Sequence, residues 1–82
     1  MGYKIERERY AIIRKTPFRT EILCGHNNDA KFLPLDLTKG TIIRTYESRK
    51  EAAYIIKRYW AGYDNAEYKP VKVIESYEIA EG

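Results

Sequence analysis

The sequence predicts an α+β domain of two layers, with one helix packed on one face of a small, mostly antiparallel sheet in the order β-β-β-α-β. Two observations lead to this class. Short segments rich in β-branched and aromatic residues alternate with turn residues up to Tyr46, and one segment of helical periodicity then precedes a last β-like segment. A chain of 82 residues cannot divide its core, so residues 1–82 are predicted to form a single domain.

The first two strands form a predicted hairpin. Residues 10–16 (YAIIRKT) and 20–25 (TEILCG) have strand composition. Pro17 lies between them, and its fixed φ and missing amide suit a turn. Tyr3 and Ile5 alternate with charged residues further upstream, so the first strand is expected to begin near Tyr3.

A long connection and a third strand follow. Residues 25–40 (GHNNDAKFLPLDLTKG) contain glycine, proline and an Asn27-Asn28-Asp29 cluster, all of which favour turns. The apolar residues within this segment indicate that it presses onto the core, with room for a short strand. Residues 41–46 (TIIRTY) are then predicted to be a strand.

The helix has the clearest local signal in the chain. Ser48 followed by Glu51 is a capping box, so a helix is predicted to begin there. Gly62 supplies a left-handed stop. At about 100° per residue, one arc holds the residues expected to face the core, namely Ala52, Ala53, Ile55, Ile56, Tyr59, Trp60 and Tyr63.

The last strand is predicted to open at Pro70 and to place Val71, Val73, Tyr77 and Ile79 on one side. Glu75 interrupts that side, so a bulge or a departure from the core is expected there. If this strand pairs in parallel with the strand before the helix, the crossover should be right-handed. One helix covers one face of the sheet, which leaves the other face for a protein partner or a second copy.

The charge distribution is compatible with an acidic partner but does not require one. The net charge is +3, and residues 1–63 carry thirteen Lys/Arg against seven Asp/Glu while residues 64–82 carry two against five. The body is therefore basic and the tail acidic, but the excess is too small for a dedicated polyanion binder. A single cysteine favours a reducing cytoplasm, and no apolar run approaches the roughly 20 residues that span a membrane.

No motif predicts catalysis, a metal site or a cofactor. Cys24 and His26 lie two residues apart and would point the same way on a strand, as a thiolate–imidazole pair does. Neither a third orienting group nor further ligands accompany them, so a buried cysteine beside a loop histidine is the favoured interpretation. The Asn27-Asn28-Asp29 cluster lacks a calcium-loop pattern, and the glycines are scattered. We therefore expect a protein that is not an enzyme and has no small-molecule substrate.

The candidate partner-binding residues are Lys50, Tyr54, Lys57 and Arg58, on the helix face opposite the predicted core. An aromatic ring among three cations can stack on a base while the cations contact phosphates. The same pattern also fits a solvated face with one exposed tyrosine. The eight tyrosines favour protein binding, because their rings bury area at low entropy cost. A protein-binding module is thus the first hypothesis, and a nucleic-acid-binding accessory protein is the alternative.

Residues 44–60 (RTYESRKEAAYIIKRYW) combine a strand ending in Arg-Thr-Tyr with a capped Glu-Ala-Ala helix. This junction resembles the closing half of small proteins encoded by bacterial phages, prophages and plasmids. It is also similar to the amino-terminal arm-binding domains of tyrosine integrases, whose sheet enters a DNA groove. Here a further strand follows the helix, and the first two strands lack a dense Arg/Lys ladder. The resemblance to the phage, prophage and plasmid proteins implies a small accessory or host-modulating binding protein.

Overall fold

The computed structural model describes residues 2–25, 30–62 and 64–80. It confirms the α+β class: within these residues one helix accompanies an antiparallel sheet of five strands. The strands are β1 (Gly2–Lys15), β2 (Thr20–Cys24), β3 (Lys31–Pro34), β4 (Thr45–Tyr46) and β5 (Glu67–Ala80). The helix α1 (Arg49–Ile55) continues into a π turn (Ile56–Trp60), and a 3-10 turn (Leu35–Leu37) follows β3.

The hairpin of β1 and β2 is confirmed, and β1 begins at Gly2, close to the predicted start. Lys15 pairs with Thr20 at the end of the ladder. The Thr16 hydroxyl accepts hydrogen bonds from the Phe18 and Arg19 amides, 3.2 and 3.1 Å away, and so holds the turn around Pro17.

β5 runs along the whole of β1, from the Gly2–Ala80 pair to the Lys15–Glu67 pair. The strand begins at Glu67, so the predicted start at Pro70 was wrong. Its register is unbroken at Glu75, so no bulge occurs there, but residues 74, 76 and 77 are exposed, and the strand leaves the core at this point as the alternative expectation stated. β5 pairs antiparallel with β1, so the parallel pairing with the strand before the helix, which was considered as a condition, does not occur. No crossover between paired parallel strands therefore exists in the described sheet.

The direction of the backbone groups explains how β5 tolerates Pro70. The Thr16 amide donates to the Arg19 carbonyl at 3.0 Å, toward β2. Alternate residues of a strand point their amides to the same edge, so even-numbered residues of β1 face β2 and β4, and odd-numbered residues face β5. Pro70 lies opposite Ile12, an even-numbered residue, so the proline nitrogen faces the outer edge of β5. The ladder therefore loses no hydrogen bond at the proline.

The predicted strand at residues 41–46 is only partly correct, because this segment passes from one strand to another. The Gly25 amide donates to the Ile42 carbonyl and the Arg44 amide to the Leu23 carbonyl, at 2.8 and 3.0 Å. Thr45 and Tyr46 then pair with β1. The segment thus fills the gap where β2 and β1 diverge, and only its last two residues form a regular strand.

The principal core lies between the sheet and the helix. Ile12 and Ala52 are fully buried there, and Leu23, Tyr46 and Ile56 are nearly so. At one side an aromatic group closes the core, formed by Phe32, Trp60 and Tyr68 with ring centroids 5.0 to 6.1 Å apart. Edge-to-face and offset contacts of this kind add to the stabilisation from burial.

The helix begins as predicted, since the Ser48 hydroxyl accepts the Glu51 amide at 3.1 Å. Gly62 has φ of 82°, as a left-handed stop requires. The predicted core face is partly wrong: Ala53 and Tyr59 are exposed. The Ala61 amide reaches back five residues to the Ile56 carbonyl, so the last turn is wider than an α turn and changes the phase after Ile55. Tyr63 lies outside the described residues.

The sheet face away from the helix was predicted to be uncovered. Over the body of the domain this prediction was wrong. Ala11, Ile13, Ile22 and Cys24 are buried there, with Leu33, Val71 and Val73 packed around them. Ile43 pairs with Cys24 at the edge of β2, and the Thr41 hydroxyl is 3.9 Å from the Cys24 sulfur. Side chains of the sheet strands themselves therefore bury the centre of this face, and the face becomes exposed beyond the end of β4.

Candidate protein-binding surface

The two longest strands continue past the body as a ribbon. We call this ribbon the arm and define it as Gly2–Arg9 of β1 with the antiparallel residues 73–80 of β5. Eight residues of antiparallel strand extend about 27 Å, and the molecule is accordingly elongated, with extents of 50 × 26 × 23 Å. Every residue from Gly2 to Glu8 is exposed. The arm is therefore held by its ladder and its base and not by a packed layer.

One face of the arm is aromatic and aliphatic. Directly opposite residues of an antiparallel pair share a face, so Ile5 and Tyr77 lie side by side, with Tyr3 two residues beyond Ile5. Tyr3, Ile5 and Tyr77 are 59%, 44% and 50% exposed. We call this the aromatic face of the arm. The opposite face carries Lys4, Glu6 and Glu8, interrupted by the exposed Ile74.

A polar network fixes the base of the aromatic face. The Arg9 guanidinium donates to Thr45 Oγ1 at 3.2 Å, and the Thr45 hydroxyl donates to Glu75 Oε1 at 2.8 Å. The Tyr77 hydroxyl donates to Glu75 Oε2 at 2.9 Å. The hydrogen bonds from Thr45 and Tyr77 hold the pKa of Glu75 below its usual value. Glu75, which was expected to disrupt the strand, thus orients Tyr77 and joins the arm to β4.

A shallow groove of about 320 Å³ adjoins this network. Residues 41–43 and Thr45 form one wall, and residues 73–77 form the other. Ile42 and Ile43 are 59% and 37% exposed, so apolar surface continues from the aromatic face of the arm onto the loop.

The helix residues predicted as candidates, Lys50, Tyr54, Lys57 and Arg58, all lie on the exposed surface, and Tyr54 is 58% exposed. Arg58 lies over the Tyr59 ring, 5.6 Å from its centroid. Within the described ranges none of the four forms an ion pair. All four side chains are therefore accessible to solvent on the helix and its π turn.

The basic surface does not extend to the neighbouring arginines. Arg49 lies 5.2 Å from the centroid of the Tyr10 ring and donates to the Pro70 carbonyl at 3.2 Å. Arg44 donates to the Tyr46 hydroxyl at 3.0 Å. Arg49 thus fastens the start of the helix to the sheet, and Arg44 is held within the segment that ends in β4, so neither guanidinium enlarges the basic surface of the helix.

Arg14 is also engaged, in a cluster that the sequence analysis missed. Its guanidinium contacts the buried Glu21 carboxylate and donates to Asp64 at 2.8 Å and to the Tyr68 hydroxyl at 3.3 Å. Arg19 donates to the other oxygen of Glu21 at 3.0 Å. Counting back from the predicted hairpin turn would have placed Arg14 opposite Glu21. Because each charge has an opposite partner, the cluster stabilises the fold and leaves little charge for a ligand.

Among the remaining chemical candidates, the structure describes only Cys24. Cys24 is buried, with only 2% of its surface exposed, as the favoured interpretation required. His26 and the Asn27-Asn28-Asp29 cluster lie outside the described residues. In the part of the chain that the structure describes, no group of three metal-ligating side chains occurs. None of the helices described is long and apolar enough to cross a membrane.

Comparison of the chain with protein-family models, curated proteins and solved structures gave no match.

Proposed function

We propose that this protein is a non-enzymatic binding module that engages another protein through the aromatic face of the arm. The observation that carries the proposal is the exposure of Tyr3, Ile5 and Tyr77 on a ribbon that no further layer of the described residues covers. A partner that covers these side chains would gain a favourable free energy of about 25 cal/mol for each Å² of apolar surface removed from water.

The composition of the face is typical of a binding surface. Tyrosine is enriched at interface centres, and here two tyrosines flank one isoleucine. Glu75 holds the Tyr77 hydroxyl and the unbroken β1–β5 ladder fixes the backbone, so little order has to be gained on binding. Arg7 shares the face beside Ile5 and supplies a charged rim.

The class of target is part of the proposal. The resemblance of residues 44–60 to phage and plasmid proteins favours a host protein as the target and an accessory or modulating role for this chain. We take the arm and not the helix as the principal contact, because three exposed apolar side chains, Tyr3, Ile5 and Tyr77, share one face of the arm, whereas Tyr54 is the one apolar ring among the helix candidates.

We expect the variant Tyr3→Ser/Ile5→Ser to lose the partner. The wild type and the variant are used as immobilised baits in bacterial lysate, and a protein captured by the wild type is identified, purified and titrated. Its affinity for the variant should be at least tenfold lower, because two apolar anchors are missing. Tyr54→Ser serves as a matched control and should bind like the wild type. Equal affinity for the arm variant, or no captured protein at all, would contradict the proposal.

The helix surface supports a second candidate function, nucleic-acid binding. Lys50, Lys57 and Arg58 are exposed without acidic partners in the described residues, and Tyr54 lies among them. Three phosphate contacts predict that affinity for duplex DNA falls roughly 40-fold between 50 and 200 mM salt. Electrophoretic shifts of mixed DNA and RNA test this function, with Lys50→Gln/Lys57→Gln as the variant. A shift that is absent at low salt, or unchanged in the variant, removes it.

A further inference from the structure

The free edge of β1 in the arm is a second surface, distinct from the aromatic face. β5 occupies one edge of β1 along its whole length, whereas β2 and β4 occupy the other edge only from Tyr10 onward. In the described residues nothing pairs with that other edge between Gly2 and Arg9. By the alternation established at Thr16, the amides and carbonyls of Gly2, Lys4, Glu6 and Glu8 point outward from it. This edge can accept one more antiparallel strand.

We infer that this edge pairs with the same edge of a second copy, across a twofold axis at Ile5. In this register Lys4 lies opposite the partner's Glu6, and Glu6 lies opposite the partner's Lys4. Gly2 lies opposite the partner's Glu8. The four even-numbered positions then form about eight backbone hydrogen bonds, and the Ile5 pair occupies the close, non-hydrogen-bonded position at the axis. This inference rests on the proposed function and names a partner for the same arm.

Charge complementarity selects this register. Lys4 and Glu6 are neighbours on one face, 3.9 Å apart, and their side chains are 60% and 59% exposed. Pairing at Ile5 places the Lys4–Glu6 ion pair of each copy beside that of the other copy, so that the four neighbouring charges alternate in sign. Moving the axis by one residue sets Lys4 opposite the partner's Lys4, or Glu6 opposite the partner's Glu6, and like charges directly opposite are destabilising.

The same register aligns the exposed apolar side chains of the two copies. Tyr77 is the β5 neighbour of Ile5, so a continuous row Tyr77–Ile5 meets the equivalent row of the second copy. Tyr3 lies opposite the partner's Arg7, where the guanidinium can stack on the ring. Each copy thereby removes part of Ile5 from water, and the resulting sheet of four arm strands has a continuous aromatic face.

The length of the edge also fits. The partner's Gly2 lies opposite Glu8, so the pairing ends before Tyr10, where β4 takes up the ladder. The outer edge of β5 fits a second copy less well, because Pro70 points its nitrogen outward there and offers no donor. The β1 edge is therefore the better docking site for a second chain.

A charge exchange tests the inference. Sedimentation equilibrium of the wild type should give twice the chain mass of 9.7 kDa. Lys4→Glu and Glu6→Lys each place like charges across the axis twice and should raise the dimer dissociation constant at least tenfold. The double variant Lys4→Glu/Glu6→Lys restores opposite charges and should return it to within about threefold of the wild type. The two single variants mixed together should form a heterodimer.

Hydrogen exchange supplies an independent readout. Amides of Lys4, Glu6 and Glu8 should become protected as concentration rises, whereas those of Tyr3 and Ile5, already bonded to β5, should not change. A monomeric wild type, single variants that associate like the wild type, or protection without this alternation would each overturn the inference. If the wild type is monomeric but the Tyr3→Ser/Ile5→Ser variant still has a lower affinity for a purified partner, the proposed function remains intact. If the wild type dimerises but captures no other protein, a second copy is the sole partner supported.

Discussion

Ile12→Ala is expected to lower the free energy of unfolding by about 2–5 kcal/mol. Ile12 is fully buried where the sheet meets the helix, so the substitution removes apolar contacts and leaves a cavity that the neighbouring ladders cannot close. Because the total stability of a domain of this size is about 4–12 kcal/mol, the variant should be close to unfolding. Urea denaturation followed by far-ultraviolet circular dichroism measures the change.

Ile5→Ala is the matched control for that substitution, since it makes the same chemical change on the same strand. Ile5 is 44% exposed and lies in the arm, so its loss should cost under about 1 kcal/mol, measured on dilute monomer. Equal losses in the two variants would show that the arm belongs to the core and would contradict the description of the fold.

Acid should destabilise the protein through the Arg14 cluster. Burial of Glu21 raises the pKa of its carboxyl, but hydrogen bonds from Arg14 and Arg19 outweigh that effect and leave the pKa below its usual value. The hydrogen bond from Arg14, together with that from the Ala66 amide, lowers the pKa of Asp64. Carboxyls with depressed pKa values contribute stability above their unfolded pKa of about 4, and this is lost as the pH falls through their folded values.

Asp64→Asn tests this acid sensitivity. At pH 7 the variant should melt well below the wild type, because it lacks the charge that pairs with Arg14. As the pH falls from about 5 to 2 the wild-type melting temperature should approach that of the variant, because Asp64 becomes neutral. Thermal melts across this range provide the measurement, and the control is Asp36→Asn, which replaces an exposed carboxylate that forms no ion pair within the described residues. A constant gap between wild type and Asp64→Asn would show that the effect is not electrostatic.

The local part of the fold could be predicted from sequence. The turn at Pro17, the Ser48 cap and the Gly62 stop each act through a few neighbouring residues, and all three occur where their patterns indicated. The exposure of Tyr54 followed from the helical phase before Ile56. The phase failed at Tyr59 because the π turn inserts an extra residue, and no local pattern announces such a turn.

The long-range part of the fold could not be predicted in the same way. Tyr3 and Ile5 were recognised as an alternating pair, but Tyr77 joins them only because β1 and β5 pair over fourteen positions. Local periodicity gives the face of each strand and does not give its neighbour. The expectation that Pro70 would begin a strand failed for a related reason, since a proline fits within a strand when its nitrogen faces a free edge.

The pairing of β1 with β5 also sets an order of events during synthesis. Gly2 and Ala80 are neighbours in the sheet yet 78 positions apart in the chain, so β1 leaves the ribosome long before its main partner exists. At about 5–20 residues per second, the 51 residues between Lys15 and Glu67 take roughly 3–10 s to be added. During that interval β2 can pair with β1 through the short turn between them. Pairing along the whole of β1 requires β5, which is synthesised last of the strands. A nascent chain is thus most open to wrong pairing, or to capture by a chaperone, along the strand that later becomes the centre of its sheet.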